Sequence, residues 1–166
     1  MQFTAVIEKF DSNLWGFHFV VPADIARVFI SGNDRRGICT LNERLKFQCA
    51  LMPKGDGAFF VNVNKEIRDK LKLKEGTAVH VMMEKDESEY GLPMPEEFEE
   101  VLNQDAEGRA HFEALTPGKK RNLLYIAGQP KKSETRITRA LVIAEHLKMM
   151  NGKIDFKILN ASLKGA

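Results

Sequence analysis

The chain changes its hydrophobic period once, between Tyr90 and Pro95. Apolar residues alternate in strand-length runs before that point and recur at three- and four-residue spacing after it. Strands and helices bury their apolar faces through different periods, so a single switch of this kind predicts an α+β chain with its two element types segregated. The expected division is a β-rich domain over residues 1–91 and a helical domain over 92–166. At 166 residues and 43% hydrophobic composition, the chain has enough apolar material for two small cores.

Before the switch, Gln2 to Glu8 and Trp15 to Val21 alternate as strands, the second with Trp15, Phe17, Phe19 and Val21 on one face. Pro22 opens a short helix with Ile25, Val28 and Phe29 together, and Gly32-Asn33-Asp34 turns the chain. A hairpin follows, Gly37 to Leu41 and Arg44 to Met52 about Asn42-Glu43. A two-residue turn sets Leu41 opposite Arg44, Cys39 opposite Lys46 and Cys49 opposite Arg36, so the two cysteines point to opposite faces and only Cys49 joins the core. Pro53 to Gly57 is read as a turn cluster, Ala58 to Val63 as a strand, and Asn64 as the cap of a helical turn. The last strand, Thr77 to Glu84, places Val79, Val81 and Met83 on one face. Short strands with two helical interruptions favour a small barrel over a sandwich.

After the switch, Pro95 starts a helix with Phe98, Val101 and Leu102, and Asp105 caps one with Ala106, Ala110 and Phe112. Thr116 is the expected capping residue before Pro117, with Leu123, Leu124 and Ala127 apolar up to Gly128. Ser133 is the expected cap of the longest helix, whose stripe is Ile137, Ala140, Leu141, Ala144 and Leu147, closed by Asn151-Gly152. Asp155 caps a final helix, with Phe156, Leu159 and Leu163 on one side and Ile154 stapled to Leu159.

Two stretches carry resemblances. Phe60-Val61-Asn62-Val63-Asn64-Lys65, Ile67-Arg68 and Leu71 through Val81 resemble a bacterial family of uncharacterised domains. That resemblance implies a double-split β-barrel, the architecture of AbrB-like transcription factors, and places Asn42-Glu43 where the family has Asn-Gly. Phe112-Glu113-Ala114-Leu115-Thr116-Pro117-Gly118-Lys119-Lys120-Arg121 and Ser133 through Ala140 resemble the helical YdeI/OmpD-associated family, associated with bacteriocin protection. The combined expectation is a small double-split-type β-barrel followed by a helical C-terminal domain. Neither resemblance supplies catalytic residues to carry over.

Charge follows the same boundary. Residues 1–91 carry 13 bases and 13 acids, residues 92–116 seven acids and one base, and residues 117–153 nine bases and two acids. The segregation has two readings: acidic and basic helices pack together, or the basic segment meets a polyanion. The polyanion candidates are Lys119, Lys120, Arg121, Lys131, Lys132, Arg136 and Arg139, set on two helices with a short joint, and they make nucleic-acid binding the alternative function. AbrB-like folds bind DNA with basic residues on a dimeric barrel, but the neutral first half shows no matching stripe.

His18, His80, His111 and His146 are too far apart for metal-ligand spacing and are expected on outer strand faces or at solvent edges of helices. Nucleophile and phosphate-loop motifs are missing, and the paired glutamates at 96–97 and 99–100 fit a solvated first helical turn. The longest uncharged stretch, Ser12 to Ala23, is too short to span a bilayer, and the start lacks a basic leader. With only Cys39 and Cys49, the expectation is a cytoplasmic, non-enzymatic interaction module. It needs no cofactor or metal, and its partners are a nucleic acid or an acidic protein surface, or a second copy through the barrel.

Overall fold

Strand β8 (Ala78–Lys85) pairs on both sides, with β1 (Gln2–Val6) and with β4 (Arg36–Leu41), and it places Val79, Val81 and Met83 wholly inside. In the computed structural model, residues 1–11 and 16–166 are described, and they divide into two units, Met1–Glu87 and Ser88–Ala166. The expected place of Trp15 in a strand lies outside the described residues. Among those described, the first unit holds two antiparallel four-stranded sheets, in the order β1-β8-β4-β5 and β2-β3-β7-β6. Here β2 is Glu8–Lys9, β3 Phe17–Val21, β5 Leu45–Ala50, β6 Met52–Gly55 and β7 Ala58–Asn62.

One core fills this unit. It joins Phe19, Val21, Val61 and Val63 from the second sheet's side to Cys39, Leu41, Val81 and Met83 from the first. Helix α1 (Ala23–Phe29) buries Ile25, Ala26 and Phe29 against it, whereas Val28, expected on that face, is 60% exposed. Helix α2 (Lys65–Leu71) begins where the Asn64 side chain accepts the Ile67 amide at 2.9 Å, as its sequence indicates. The expected turn cluster at Pro53 is instead an edge strand. Proline fits there because β6 has a ladder partner on one side only, and the turn shrinks to Asp56-Gly57.

The hairpin register differs from the expected one by a residue. Asn42 and Glu43 both take positive φ, at 51° and 57°, and the Arg44 amide closes the turn on Leu41 O at 3.0 Å. Arg44 then stays in the loop, so Leu41 faces Leu45, Cys39 faces Phe47 and Gly37 faces Cys49. The cysteines therefore share the buried face, with their sulfurs 3.2 Å apart. The Cys49 thiol donates to Gly37 O at 3.3 Å, and its contact with Cys39, together with burial, pushes the Cys39 thiol pKa upward.

The helical unit consists of α3 (Glu96–Gln104), α4 (Ala106–Glu113), α5 (Pro117–Gly128), α6 (Ser133–Met149) and α7 (Phe156–Gly165). Helix α6 touches the other four. Its buried side is Ala140, Ile143, Ala144, His146 and Leu147. The expected stripe is thus turned about the helix axis, leaving Ile137 and Leu141 42% and 54% exposed. Phe98 and Phe112 meet edge to face at 5.3 Å, and Tyr90 lies against Phe112 at 5.6 Å. Helix α4 buries Gly108 and Phe112, not Ala106 and Ala110. A Cβ at position 108 would stand 2.9 Å from the Asp105 carboxyl that caps the helix.

Two expected caps are not made by their side chains. Thr116 and Lys132 occupy the N-cap positions of α5 and α6 without side-chain bonds, and Ser133 lies inside α6 and donates to Glu97. Asp105 and Asp155 do cap, onto Gly108 and Ile158. After Met149 the chain closes as the sequence indicates: Asn151 and Gly152 take positive φ, and the Gly152 amide reaches back to Leu147 O at 2.7 Å. In α7, Leu159 is buried and Phe156 is 37% exposed.

Candidate functional site

Three of the seven basic candidates, Lys120, Arg136 and Arg139, are bonded within the helical unit. The Lys120 ammonium is 3.2 Å from Glu113 and lies over the Tyr90 and Phe112 rings. Arg136 grips Glu97 Oε1 through Nε at 2.9 Å and Nη2 at 2.8 Å, while its Nη1 donates to the carbonyls of Pro130 and Lys131. Arg139 donates to Ile126 O at 2.9 Å, satisfying a carbonyl near the end of α5. Lys119, Arg121, Lys131 and Lys132 form no ion pair among the described residues. Lys119 and Arg121 lie in the first half of the twelve-residue α5, and Lys131 and Lys132 follow its end in the segment leading into α6.

The acids that meet these bases fix α3 against α6. At one end Glu97 receives Arg136 and, at 2.8 Å, the Ser133 hydroxyl; at the other Asp105 meets Lys148 at 2.9 Å. Sequence numbers rise together along the two ties, so α3 and α6 run in the same direction. Hydrogen bonds from Arg136, the residue's own amide and Ser133 hold the Glu97 carboxyl at about 2. The Gly108 amide and then Lys148 depress that of Asp105. Both remain carboxylates at neutral pH, where they act as fixed negative charges and not as proton donors.

Between those ties lies an open groove with a volume of about 620 Å³. Its floor is Val101, Ile137 and Leu141, and its rim Glu96, Glu97, Glu100, Gln104, Asp105 and Ser133. Not one lining residue is basic. Among the described residues Glu96 and Glu100 form no ion pair, Glu97 has Arg136, and Asp105 shares Lys148 with Glu145, so the four rim carboxylates outnumber their cationic partners. Such a recess can hold an apolar group while pairing its flanks with cations.

Sequence reasoning placed Ile137 and Leu141 in the core and the glutamates in solvent, and so missed this groove. A signal was present: α6 carries Ile137, Leu141, Val142, Ile143, Leu147 and Met149, more large apolar residues than one buried stripe takes up.

The histidines also differ from expectation. His18 is 1% exposed, stacked on Phe10 at 3.7 Å and edge-on to Phe60. Its Nε2 stands 3.3 Å from Glu8, whose carboxylate also holds Lys54 at 2.7 Å. Residues of β2, β3 and β6 meet there because pairing sets Glu8 opposite His18, so this strand buries both faces. His146 is 3% exposed rather than at a solvent edge, and its Nε2 accepts the Asp155 amide at 3.1 Å. That bond fixes the ring proton on Nδ1, which finds no partner among the described residues. Burial holds both imidazoles below their ordinary range. His80 is half-buried, and His111 stands 3.8 Å from Glu107. Among the described residues no three metal-ligating side chains converge, and no helix is long and apolar enough to cross a membrane.

No curated protein and no solved structure matches the chain. Two family models match parts of the chain: residues 3–83 match a domain of unknown function, DUF1905, and residues 92–149 match the family described as bacteriocin-protection, YdeI or OmpD-associated.

Proposed function

We propose that this chain is a non-enzymatic interaction module whose helical unit makes the contact, in a protective role of the kind the second family's description names. The observation that carries this reading is the groove: an apolar floor left open to solvent between carboxylate-bearing rims. The rim supports binding over acid catalysis, since Glu97 and Asp105 are held ionised. The His18 ring, covered by Phe10 and Phe60, serves packing. Two free, buried thiols support a cytoplasmic setting. A double-split barrel is the finer reading of the first unit, supported by two sheets that share one core.

The test places a photo-crosslinking benzoylphenylalanine at one position of the intact chain in living cells. At Leu141 it should yield a discrete adduct with a protein. The same group at Lys119 or Lys132 should yield none, because those positions lie outside the groove. Adducts with nucleic acid from Lys119 or Lys132 alone would move the contact to the basic residues and the function to polyanion binding. No adduct from any position in the helical unit would overturn the reading.

A further inference from the structure

Resting on that reading, we propose that the groove between α3 and α6 receives a cationic amphipathic helix from another protein. Three observations select this occupant. First, the floor residues Val101, Ile137 and Leu141 come from two helices running the same way, which makes a trough and not a flat patch. Such a trough accepts the apolar face of a helix through anchors spaced three and four residues apart. From Glu96 to Asp105 it is about 13 Å long, enough for some two turns of an added helix.

Second, the charge around the floor has one sign. Among the described residues Glu96 and Glu100 carry no ion pair, Glu97 is paired with Arg136, and Asp105 is paired with Lys148, which also meets Glu145. Lysines or arginines flanking an apolar stripe would meet carboxylates on the rim, whereas an acidic helix would meet like charge throughout. Third, the field is graded along the groove. Both helices begin at the Glu96 and Ser133 end, where their dipoles are positive and where Lys131 and Lys132 form no ion pair among the described residues. Of the two rim carboxylates without an ion pair among the described residues, Glu96 stands beside that positive end and Glu100 away from it, so the partner's cations are placed over the Glu100 half. Its less basic end faces Ser133.

The probe is a labelled eighteen-residue peptide of leucine and lysine with a single apolar stripe, titrated into the intact chain and read by fluorescence anisotropy. Two controls have the same length: a scrambled peptide of the same composition, and one with glutamate for every lysine. Saturable binding of the amphipathic lysine peptide alone is expected, weakening several-fold between low and physiological salt. Leu141→Lys and Glu100→Lys, both at solvent-facing positions, should each weaken it at least tenfold, and Lys131→Glu should leave it unchanged or tighter.

Equal binding of the scrambled peptide, or equal affinity in Leu141→Lys, would overturn the proposal by showing attraction to acidic surface at large. Preference for the glutamate peptide, or for duplex DNA used in the same assay, would overturn it in favour of an anionic partner at the basic residues. Failure of every peptide to bind, combined with a protein adduct from position 141, would overturn the cationic helix while leaving the interaction module standing.

Discussion

At the scale of single residues, His146 shows how burial turns an ordinary side chain into a pH-dependent element of stability. Its ring is neutral in the fold, one nitrogen bonded to the Asp155 amide and the other unpaired, and the pull of Asp155's charge does not offset desolvation. An unfolded chain binds a proton at this residue below about pH 6.5, while the folded one takes it up only at lower pH. The contribution of His146 to stability is therefore complete above that pH and is lost as the pH falls through the depressed folded value. Chemical unfolding followed from pH 7.5 to 5 should show stability declining on the acid side. His146→Gln, which keeps an acceptor for the Asp155 amide, should reduce that slope by up to one proton. An unchanged slope in the variant would show that other groups carry it. The sequence could not place this histidine inside, because α6 is rich enough in apolar residues to be turned either way, and the packing of α3, α4, α5 and α7 around it decides.

At the scale of elements, the β4–β5 turn holds two adjacent residues in the left-handed region, one of them a glutamate. Left-handed backbone costs a residue with a Cβ about 1 kcal/mol, which glycine avoids. Glu43→Gly should accordingly raise the stability of the first unit by up to about 1 kcal/mol in urea titration, with the register unchanged; a loss of stability would mean that the Glu43 side chain contributes contacts of greater value. Several elements were legible in the sequence because one local rule governs each: the Asn64, Asp105 and Asp155 caps, the alternation of β8, and the Asn151-Gly152 stop. The groove was not, since it depends on how far α6 rolls against α3. That angle follows from packing between residues far apart in the chain, with the Glu97–Arg136 and Asp105–Lys148 ties at the two ends of the contact.

At the scale of the whole molecule, the fold keeps two separate cores, one centred on Val81 and Met83 and the other on Phe98 and Phe112. Phe112 is fully buried between Tyr90 and Phe98, so Phe112→Ala should cost the helical unit about 3 to 5 kcal/mol. Calorimetry of that variant should show one component of the unfolding shifted to lower temperature and a second component, assigned to the β-rich unit, in place. Equal displacement of both would show that the units unfold together. The alternation of strands, the helical spacing and the charge segregation made this two-part architecture readable, whereas the separation of the β-rich half into two sheets depends on pairings between distant strands.

The one-residue offset in the hairpin also bears on which changes this chain tolerates over generations. Because β5 presents Leu45, Phe47 and Cys49 inward only when Asn42, Glu43 and Arg44 all intervene, deleting any one of them would turn Lys46 and Gln48 toward Val81 and Met83. Substitutions at exposed Glu43 and Arg44 leave that count intact. In this loop, length fixes which face of β5 is buried, while at Asn42, whose side chain accepts the His80 amide at 2.9 Å, identity is constrained as well.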